Sequence, residues 1–243
     1  KLIGKYHTPL LVSVSGDGGY NELINGVMRA KSGTSKQPVV AIIAAGNAND
    51  HKRLTRGKTS LLTLIKQADP KPLDLLALRT KSVDRYAHSY IGLGITPEVG
   101  IELNRHSLTW TKEIQLVFKS FRKFKPFTIE RNGVMIRCAN LLFANVSGMS
   151  KIIKLDPTNN KLDDGQFEVI IEPWHSKLML LLHLLKLVIV GSPASPQYQT
   201  YKFTTVDSST PVQLDGEIEY ITAGTEVIIS AEPNAILSLY EPA

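Results

Sequence analysis

A short segment of glycine and acidic residues near the start of the chain has the composition of an anion-binding loop. Residues 15–19, Ser-Gly-Asp-Gly-Gly, follow the apolar run 10–14 and precede residues 20–30, whose apolar positions recur at helical spacing. Closely spaced glycines let backbone N–H groups approach an anion, and the following helix points its N-terminal dipole at the same place. Asp17 would repel a phosphate unless a cation lay between them, so it favours a nucleotide bound with Mg²⁺. A glycine turn with a purely structural role is the alternative.

A second polar loop follows the next apolar run. Residues 46–50, Gly-Asn-Ala-Asn-Asp, come directly after residues 38–43, which are typical of a buried strand. Loops at the carboxyl ends of adjacent parallel strands converge on one crevice, where open α/β sheets bind their ligands. The two loops could therefore share a ligand. A helix N-cap made by Asn49 or Asp50 is the alternative interpretation.

Two acidic turns occur later in the chain. Asp215-Gly216-Glu217 places a carboxylate on each side of a glycine, so the pair could project into a cleft as a general base or a metal site. A turn between strands explains it equally well. For Asp163-Asp164-Gly165 we favour the structural turn, with or without a bound divalent ion.

The elements that must position these residues change in character along the chain. Strand-like and helix-like segments alternate over about the first 70 residues, which indicates a parallel α/β sheet. After residue 72 strand-like runs dominate, interrupted by helical patterns near 108–123 and 175–189. Asn132-Gly133 predicts a type I′ hairpin, because both residues must adopt positive φ there. The strand-like runs are 73–79, 84–91, 126–131, 134–146, 167–172, 198–206, 217–221, 226–230 and 235–240.

The composition excludes several classes of protein. With 243 residues, 43% hydrophobic and 21% charged, the chain can bury a core and is not disordered. Its length suggests two domains, for which we predict residues 1–79 and 80–243, the last residues returning to the first domain. A single Cys excludes an internal disulfide and predicts an intracellular setting. The positive charge behind the net value of +6 lies mainly in the first third of the chain. It is weak evidence for an anionic partner, and a solvated basic face is the alternative.

Taken together and in this order, the four segments resemble one family. Residues 14–26, Val-Ser-Gly-Asp-Gly-Gly-Tyr-Asn-Glu-Leu-Ile-Asn-Gly, are similar to its Gly-Gly-Asp-Gly-Thr loop and Asn-Glu-x-x-Asn-Gly helix. Residues 46–50 are similar to its Gly-Thr-x-Asn-Asp loop, and 162–169, 213–217 and 233–237 are similar to its C-terminal half. This is the diacylglycerol kinase catalytic domain family, which also contains sphingosine and ceramide kinases. The resemblance covers nearly the whole chain.

The resemblance implies a fold and a set of roles. The fold is an α/β nucleotide-binding domain like that of NAD kinase and phosphofructokinase, followed by an antiparallel β-sandwich domain, with the active site in the cleft between them. Asp215 or Glu217 would take the proton from a lipid hydroxyl. Asp17 would contact Mg²⁺ at the nucleotide, and Asp164 would bind a structural Mg²⁺. The residues assigned to the ATP site are Ser15, Gly16, Asp17, Gly18, Gly19, Glu22, Gly46, Asn47 and Asn49.

The chain departs from the family pattern at several points. Ser15 stands where the first glycine is usual, as it does in sphingosine kinase sequences, and Gly19 and Asn47 each stand where a threonine is usual. The family also begins with an earlier strand, an Asn-Pro-x-x-Gly loop and a helix. None of these is in the sequence, so we expect an N-terminal segment to be missing from it.

The implied function is an ATP-dependent lipid kinase that converts diacylglycerol to phosphatidic acid. A sphingoid-base kinase, an NAD kinase-like enzyme and a degenerate nucleotide- or lipid-binding module remain alternatives. We expect a cytoplasmic enzyme at the inner face of an anionic membrane, with no nucleic acid partner; a homodimer is possible. Candidate docking surfaces are the basic segment 112–125 and the apolar segment 178–190, which is too short to span a bilayer. Ordinary packed helices are the alternative for both segments.

Overall fold

The computed structural model describes residues 9–31, 37–46, 49–97, 121, 124–149, 153–154, 161–191, 195–207 and 209–241. Its helices are α1 (Asp17–Lys31), α2 (Asp50–Thr55), α3 (Leu61–Gln67) and α4 (Lys177–Val190). Its first strands are β1 (Leu10–Ser15), β2 (Val39–Ala44), β3 (Lys71–Arg79), β4 (Asp84–Ala87), β5 (Tyr90–Gly94), β6 (Phe127–Arg131), β7 (Val134–Ala144), β8 (Gly148–Met149) and β9 (Ile153–Lys154). The remaining strands are β10 (Phe167–Pro173), β11 (Gln197–Tyr198), β12 (Thr200–Thr205), β13 (Ser209–Leu214), β14 (Glu217–Thr222) and β15 (Glu226–Ser238).

The first part of the chain is the α/β structure that its pattern predicts. β1 and β2 pair in parallel, and both glycine loops follow their carboxyl ends. α1 buries Tyr20, Ile24 and Val27, which lie at the i, i+4 and i+7 positions of one helix face. Helix α1 begins at Asp17, three residues before the predicted start, because the Tyr20 N–H already donates to the Gly16 carbonyl. The expected five-residue glycine turn is therefore wrong: Gly18 and Gly19 belong to the first turn of the helix.

The second part is antiparallel and rich in strands. β6 and β7 form the predicted hairpin, with φ of 54° at Asn132 and 77° at Gly133. Buried side chains of strands between β3 and β15 form one hydrophobic core. Within it, the Phe143 ring makes edge-to-face contacts with the rings of Phe167 and Tyr201. The predicted fold class, an α/β part followed by a β-rich part, is confirmed.

Strand β15 joins the two parts. It pairs in parallel with β2 at Leu237 and Ser238, antiparallel with β12 over residues 226–230, and antiparallel with β3 over residues 228–232 and 236–238. Thirteen strands consequently form one branched, hydrogen-bonded sheet. The domain boundary at residue 79 stays a prediction.

Three predicted elements differ in the structure. The run 84–91 is divided into β4 and β5, the runs 226–230 and 235–240 are one bulged strand, and β13 was not predicted. Most of the predicted helix near 108–123, and most of the basic segment 112–125, lie outside the described residues. Among the residues that are described, no helix is long and apolar enough to cross a membrane.

Candidate active site

The two glycine loops touch each other through their backbones. A Cβ atom added to Gly46 would lie 2.5 Å from the Cα of Gly16, and one added to Gly16 would lie 3.1 Å from the Cα of Gly46. A side chain at Gly46 would therefore overlap the first loop, so close approach of the loops requires glycine there. The Asn49 side chain closes the second loop, since it accepts from the Gly46 N–H at 3.0 Å and donates to the Gly46 carbonyl at 2.6 Å.

Asp17 ties the first loop to the second. Its Oδ2 accepts from the N–H of Asp50 and its Oδ1 from the N–H of His51, each at 3.0 Å. These are the first N–H groups of α2, so a carboxylate from another segment caps this helix. The alternative in which Asn49 caps the helix through its own side chain is wrong: its φ is 52° and its side chain bonds to Gly46 instead.

The Asp215-Gly216 pair forms the two-residue hairpin loop between β13 and β14. Its φ angles of 49° and 104° are those that a type I′ turn requires. The Asp215 carboxylate is fully buried and accepts from the backbone N–H groups of His88, Ser89 and Tyr90 at 2.5, 3.1 and 2.9 Å. Burial raises the pKa of Asp215, and the nearby His88 and the N–H donors only partly oppose it.

This turn lies against the start of α1. A Cβ atom added to Gly18 would be 2.7 Å from Oε1 of Glu217, and one added to Gly216 would be 3.6 Å from the Gly18 nitrogen. The Asn21 amide also donates to the Leu214 carbonyl at 3.0 Å. The glycine loop and the acidic turn, which are about 200 residues apart in sequence, therefore lie against each other.

Three aromatic rings pack beneath the loops. The His51 ring lies 5.0 Å from the Tyr20 ring and 4.5 Å from the His88 ring, measured between centroids. All three side chains are buried, and burial holds the pKa of His51 well below its ordinary value. His88 Nε2 lies 3.4 Å from the Asp215 carboxylate, which links this cluster to the acidic turn. No motif in the sequence singles out either histidine, because contacts between residues distant in sequence bring the two rings together.

The remaining predicted nucleotide-site residues are divided between the loops and their surroundings. Ser15 ends β1 and Gly19 lies in the first turn of α1, next to one another. Glu22 lies farther along α1 and forms an ion pair with Arg85 of β4. Asn47 lies outside the described residues.

Asp164 lies in a second acidic cluster. Its Oδ1 accepts from the Gln166 N–H at 3.0 Å, and the neighbouring Asp74 accepts from the N–H groups of Gly165 and Asn234, each at 2.6 Å. Burial raises the pKa of Asp74. Within the described part of the chain, no group of three His, Cys, Asp or Glu residues could hold a metal ion, so the metal roles of Asp17 and Asp164 stay predictions.

Comparisons with known proteins agree with this architecture. Residues 2–78 match the sequence model of the diacylglycerol kinase catalytic domain. A protein of Staphylococcus carnosus named diacylglycerol kinase is 26% identical over 223 residues, which are 86% of this chain and 70% of that protein.

Two solved structures from Bacillus anthracis share the fold. One has a TM-score of 0.69 at 19% identity and covers 99% of this chain and 79% of its own. The other, a crystal structure named as a diacylglycerol kinase, has a TM-score of 0.68 at 20% identity, with 99% and 80% covered. The resemblance to the diacylglycerol kinase catalytic domain family that the motifs predict is thus confirmed.

Proposed function

We propose that this protein is a lipid kinase that transfers the γ-phosphate of ATP to a lipid hydroxyl, with diacylglycerol as the acceptor. The observation that carries the proposal is the contact between the first turn of α1 and the Asp215–Glu217 turn. This contact supports the proposal because it brings a helix N-terminus and a carboxylate side by side, and phosphoryl transfer depends mainly on such positioning and on charge neutralisation.

The phosphate side of the proposed site is made by backbone. Helix α1 is 15 residues long, and its N-terminus lies where the loops of Gly16 and Gly46 meet. The first N–H groups of a helix have no partner within the helix, and together with the helix dipole they favour a phosphate at that place. Mg²⁺ commonly binds through one or two carboxylates together with substrate phosphates. Each Asp17 oxygen accepts one N–H group and keeps a second lone pair, so Asp17 could contact Mg²⁺ while it holds α2. Bound Mg²⁺ would neutralise the charge on the transferring phosphoryl group.

Of the two carboxylates in the turn, Glu217 is better placed to accept the proton of the lipid hydroxyl. Both oxygens of Asp215 are engaged by backbone N–H groups inside the protein, and the side chain has no exposed surface. Glu217 is partly exposed and directs its Oε1 at the start of α1. Asp215 then acts by holding the turn, and Glu217 acts as the general base.

The lipid acceptor requires contact with a membrane, for which α4 is our candidate. Leu180 of this helix is buried against the β-rich part, whereas Leu178, Leu182 and Ile189 are 66%, 53% and 81% exposed. At about 1.5 Å per residue a helix of this length reaches about 21 Å and lies in the interface rather than across it. The net charge of +6 favours an anionic surface. Membrane association and a homodimer stay predictions.

The proposal is tested by transfer of radiolabel from [γ-³²P]ATP to lipids presented in mixed micelles. Diacylglycerol should be labelled, and Glu217→Gln should lower kcat about 10²- to 10⁴-fold while ATP binding is retained. Glu219→Gln is the matched control, because it makes the same change two residues along β14 and should leave kcat unchanged.

Two outcomes would reject the proposal in different ways. Binding of ATP without transfer to any lipid would indicate a nucleotide-binding module. Equal activity of Glu217→Gln and Glu219→Gln would remove Glu217 from the reaction.

A further inference from the structure

One buried cation is not ion-paired to any residue that the structure describes. Arg56 is the C-terminal cap residue of α2, and only 8% of it is exposed. Arg53, Arg79 and Arg85 are more exposed, yet each forms an ion pair with a carboxylate. Arg56 forms none within the described part of the chain, and burial lowers its pKa. Because charged side chains are rarely buried without a partner, we expect an anion other than a described side chain to balance Arg56.

The guanidinium of Arg56 has one engaged nitrogen and one free edge. Its Nη1 donates to the Ile42 carbonyl at 2.9 Å. Nε is buried and has no hydrogen-bond partner among the described residues, and Nη2 makes no hydrogen bond to any of them. In a planar guanidinium, Nε and Nη2 lie on one edge and can donate two parallel hydrogen bonds to an oxyanion. The free edge is therefore one by which arginine binds phosphate or carboxylate groups through two bonds.

The backbone around Arg56 is held from two sides. Strand β15 pairs with β2 as far as Ser238, and the Glu241 N–H then donates to the Thr55 carbonyl of α2 at 2.9 Å. Arg56 is the next residue after Thr55, and its bond to Ile42 ties it to β2. A guanidinium held in this way loses little further freedom when it binds an anion.

A second unpartnered nitrogen belongs to the same helix. Nδ1 of His51 is buried and has no hydrogen-bond partner in the described part of the protein. Arg56 is near enough to contribute, after burial and His88, to the lowered pKa of His51. In the tautomer that carries its proton on Nδ1, the neutral imidazole is a hydrogen-bond donor. Two donors from the guanidinium and one from the imidazole suit a phosphate group, with its three acceptor oxygens, better than a carboxylate.

We propose that Arg56 is the principal ligand of a second anion site, which takes a phosphate group. The site adjoins the proposed nucleotide site through α2, because Asp17 of the first glycine loop caps the other end of this helix. The phosphate is either free in solution or part of the bound nucleotide, and both present the same oxygens to the guanidinium. The inference does not depend on lipid kinase activity.

Three variants separate this role from a structural one. Arg56→Met keeps most of the apolar stem and removes the guanidinium, whereas Arg56→Lys keeps the charge but cannot form two parallel bonds. Lys52→Met is the matched control, because it removes one positive charge from the same helix, where Nζ bonds to the Gly57 carbonyl. If Arg56 only supported the fold through Ile42, Arg56→Met would lower the Tm equally with and without phosphate.

The first measurement is thermal unfolding without nucleotide, in chloride and in inorganic phosphate at equal ionic strength. For a site that takes free phosphate, the change to phosphate should raise the Tm of Lys52→Met by about 2–4 °C more than that of Arg56→Met. The unsubstituted protein should behave like Lys52→Met, and Arg56→Lys should show at most part of the gain. General stabilisation by phosphate is common to all variants, so the comparison removes it.

The second measurement is binding of Mg·ATP by titration calorimetry. For a site that takes a phosphate of the nucleotide, Arg56→Met should bind ATP about tenfold more weakly than Lys52→Met. A phosphate effect on Tm with unchanged ATP affinity assigns the site to free phosphate, and weaker ATP binding without that effect assigns it to the nucleotide.

Equal behaviour of Arg56→Met and Lys52→Met in both measurements would refute the site. If Arg56→Met does not fold, Arg56→Lys decides: a phosphate response and an ATP affinity equal to those of the unsubstituted protein would refute binding through two parallel bonds, on which the proposal rests. Absence of ATP binding by the unsubstituted protein would instead overturn the proposed function, while thermal unfolding in phosphate still tests the Arg56 site.

Discussion

Replacing Gly18 by alanine separates the stability of α1 from the position of Glu217. The added methyl group would lie 2.7 Å from Oε1 of Glu217 and 3.7 Å from the carbonyl oxygen of Asp215. The near atom is the end of a flexible side chain, so Glu217 can move aside with little cost to the fold. An alanine Cβ at Gly26 would meet no atom within 4 Å, so Gly26→Ala makes the same change away from Glu217.

The size of both effects follows from this geometry. Replacing glycine by alanine inside a helix stabilises it by about 0.5–1 kcal/mol, which raises the Tm of a chain of this length by about 1–4 °C. Both variants should show that gain. In Gly18→Ala the carboxylate must retreat by about 0.7 Å to reach an ordinary contact distance of about 3.4 Å. Because a misplacement of about 1 Å can cost about 10²-fold in rate, we expect kcat to fall about 10- to 100-fold.

Three measurements test this expectation: thermal unfolding, ATP binding by calorimetry, and kcat for transfer to diacylglycerol. ATP affinity should change little, because the backbone N–H groups of α1 are retained. If Gly18→Ala acts through Glu217, the double variant Gly18→Ala/Glu217→Gln should be no slower than Glu217→Gln alone.

The reasoning would be refuted if Gly18→Ala kept the kcat of Gly26→Ala while Glu217→Gln was inactive. Glu217 would then reach the reaction from somewhere other than the Gly18 side. Loss of ATP binding in Gly18→Ala would show instead that the methyl group blocks the phosphates.

Two further predictions concern buried polar groups. Burial lowers the pKa of His51. As pH falls below about 6.5, the unfolded chain therefore binds a proton before the folded chain does, and the free energy of unfolding falls by about 1.4 kcal/mol per pH unit. His51→Phe, which keeps the ring contacts, should remove that slope in urea unfolding measured from pH 5 to 7; equal slopes would contradict it. Gln213 Oε1 and Thr210 Oγ1 of β13 have no hydrogen-bond partner among the described residues. Gln213→Leu and Thr210→Val should each raise the free energy of unfolding by about 1 kcal/mol. A decrease in the free energy of unfolding would show that the replaced side chain has a hydrogen-bond partner.

The sequence predicts the α/β start and the β6–β7 hairpin because those features depend on local chemistry. Parallel strands read as continuous apolar runs, and Asn132-Gly133 is sufficient for a type I′ turn. The start of α1 was misplaced for the same reason. Gly18 and Gly19 have weak helix propensity, whereas in the structure the Tyr20 N–H donates to the Gly16 carbonyl and the distant Glu217 faces Gly18.

Features that depend on distant contacts could not be predicted. The run 84–91 reads as one strand, yet the structure divides it at His88 and Ser89, whose N–H groups leave the sheet to bind Asp215. The runs 226–230 and 235–240 read as two strands, whereas pairing with β3 joins them into β15 through a bulge between Glu232 and Ile236. Neither partner is visible within a local window of sequence.

The same limit affects the interpretation of the acidic residues themselves. Asp17 and Asp215 are the most conspicuous carboxylates of the two motifs, yet each uses both of its oxygens to accept backbone N–H groups from a segment distant in sequence. A carboxylate that accepts that many N–H groups fixes the position of the segment it binds. Loss of activity after substitution of either residue would therefore show that the loops must be held together, and would not by itself assign the residue to the chemical step. Substitution of Glu217, whose carboxylate faces Gly18, is therefore the direct test of the chemical step.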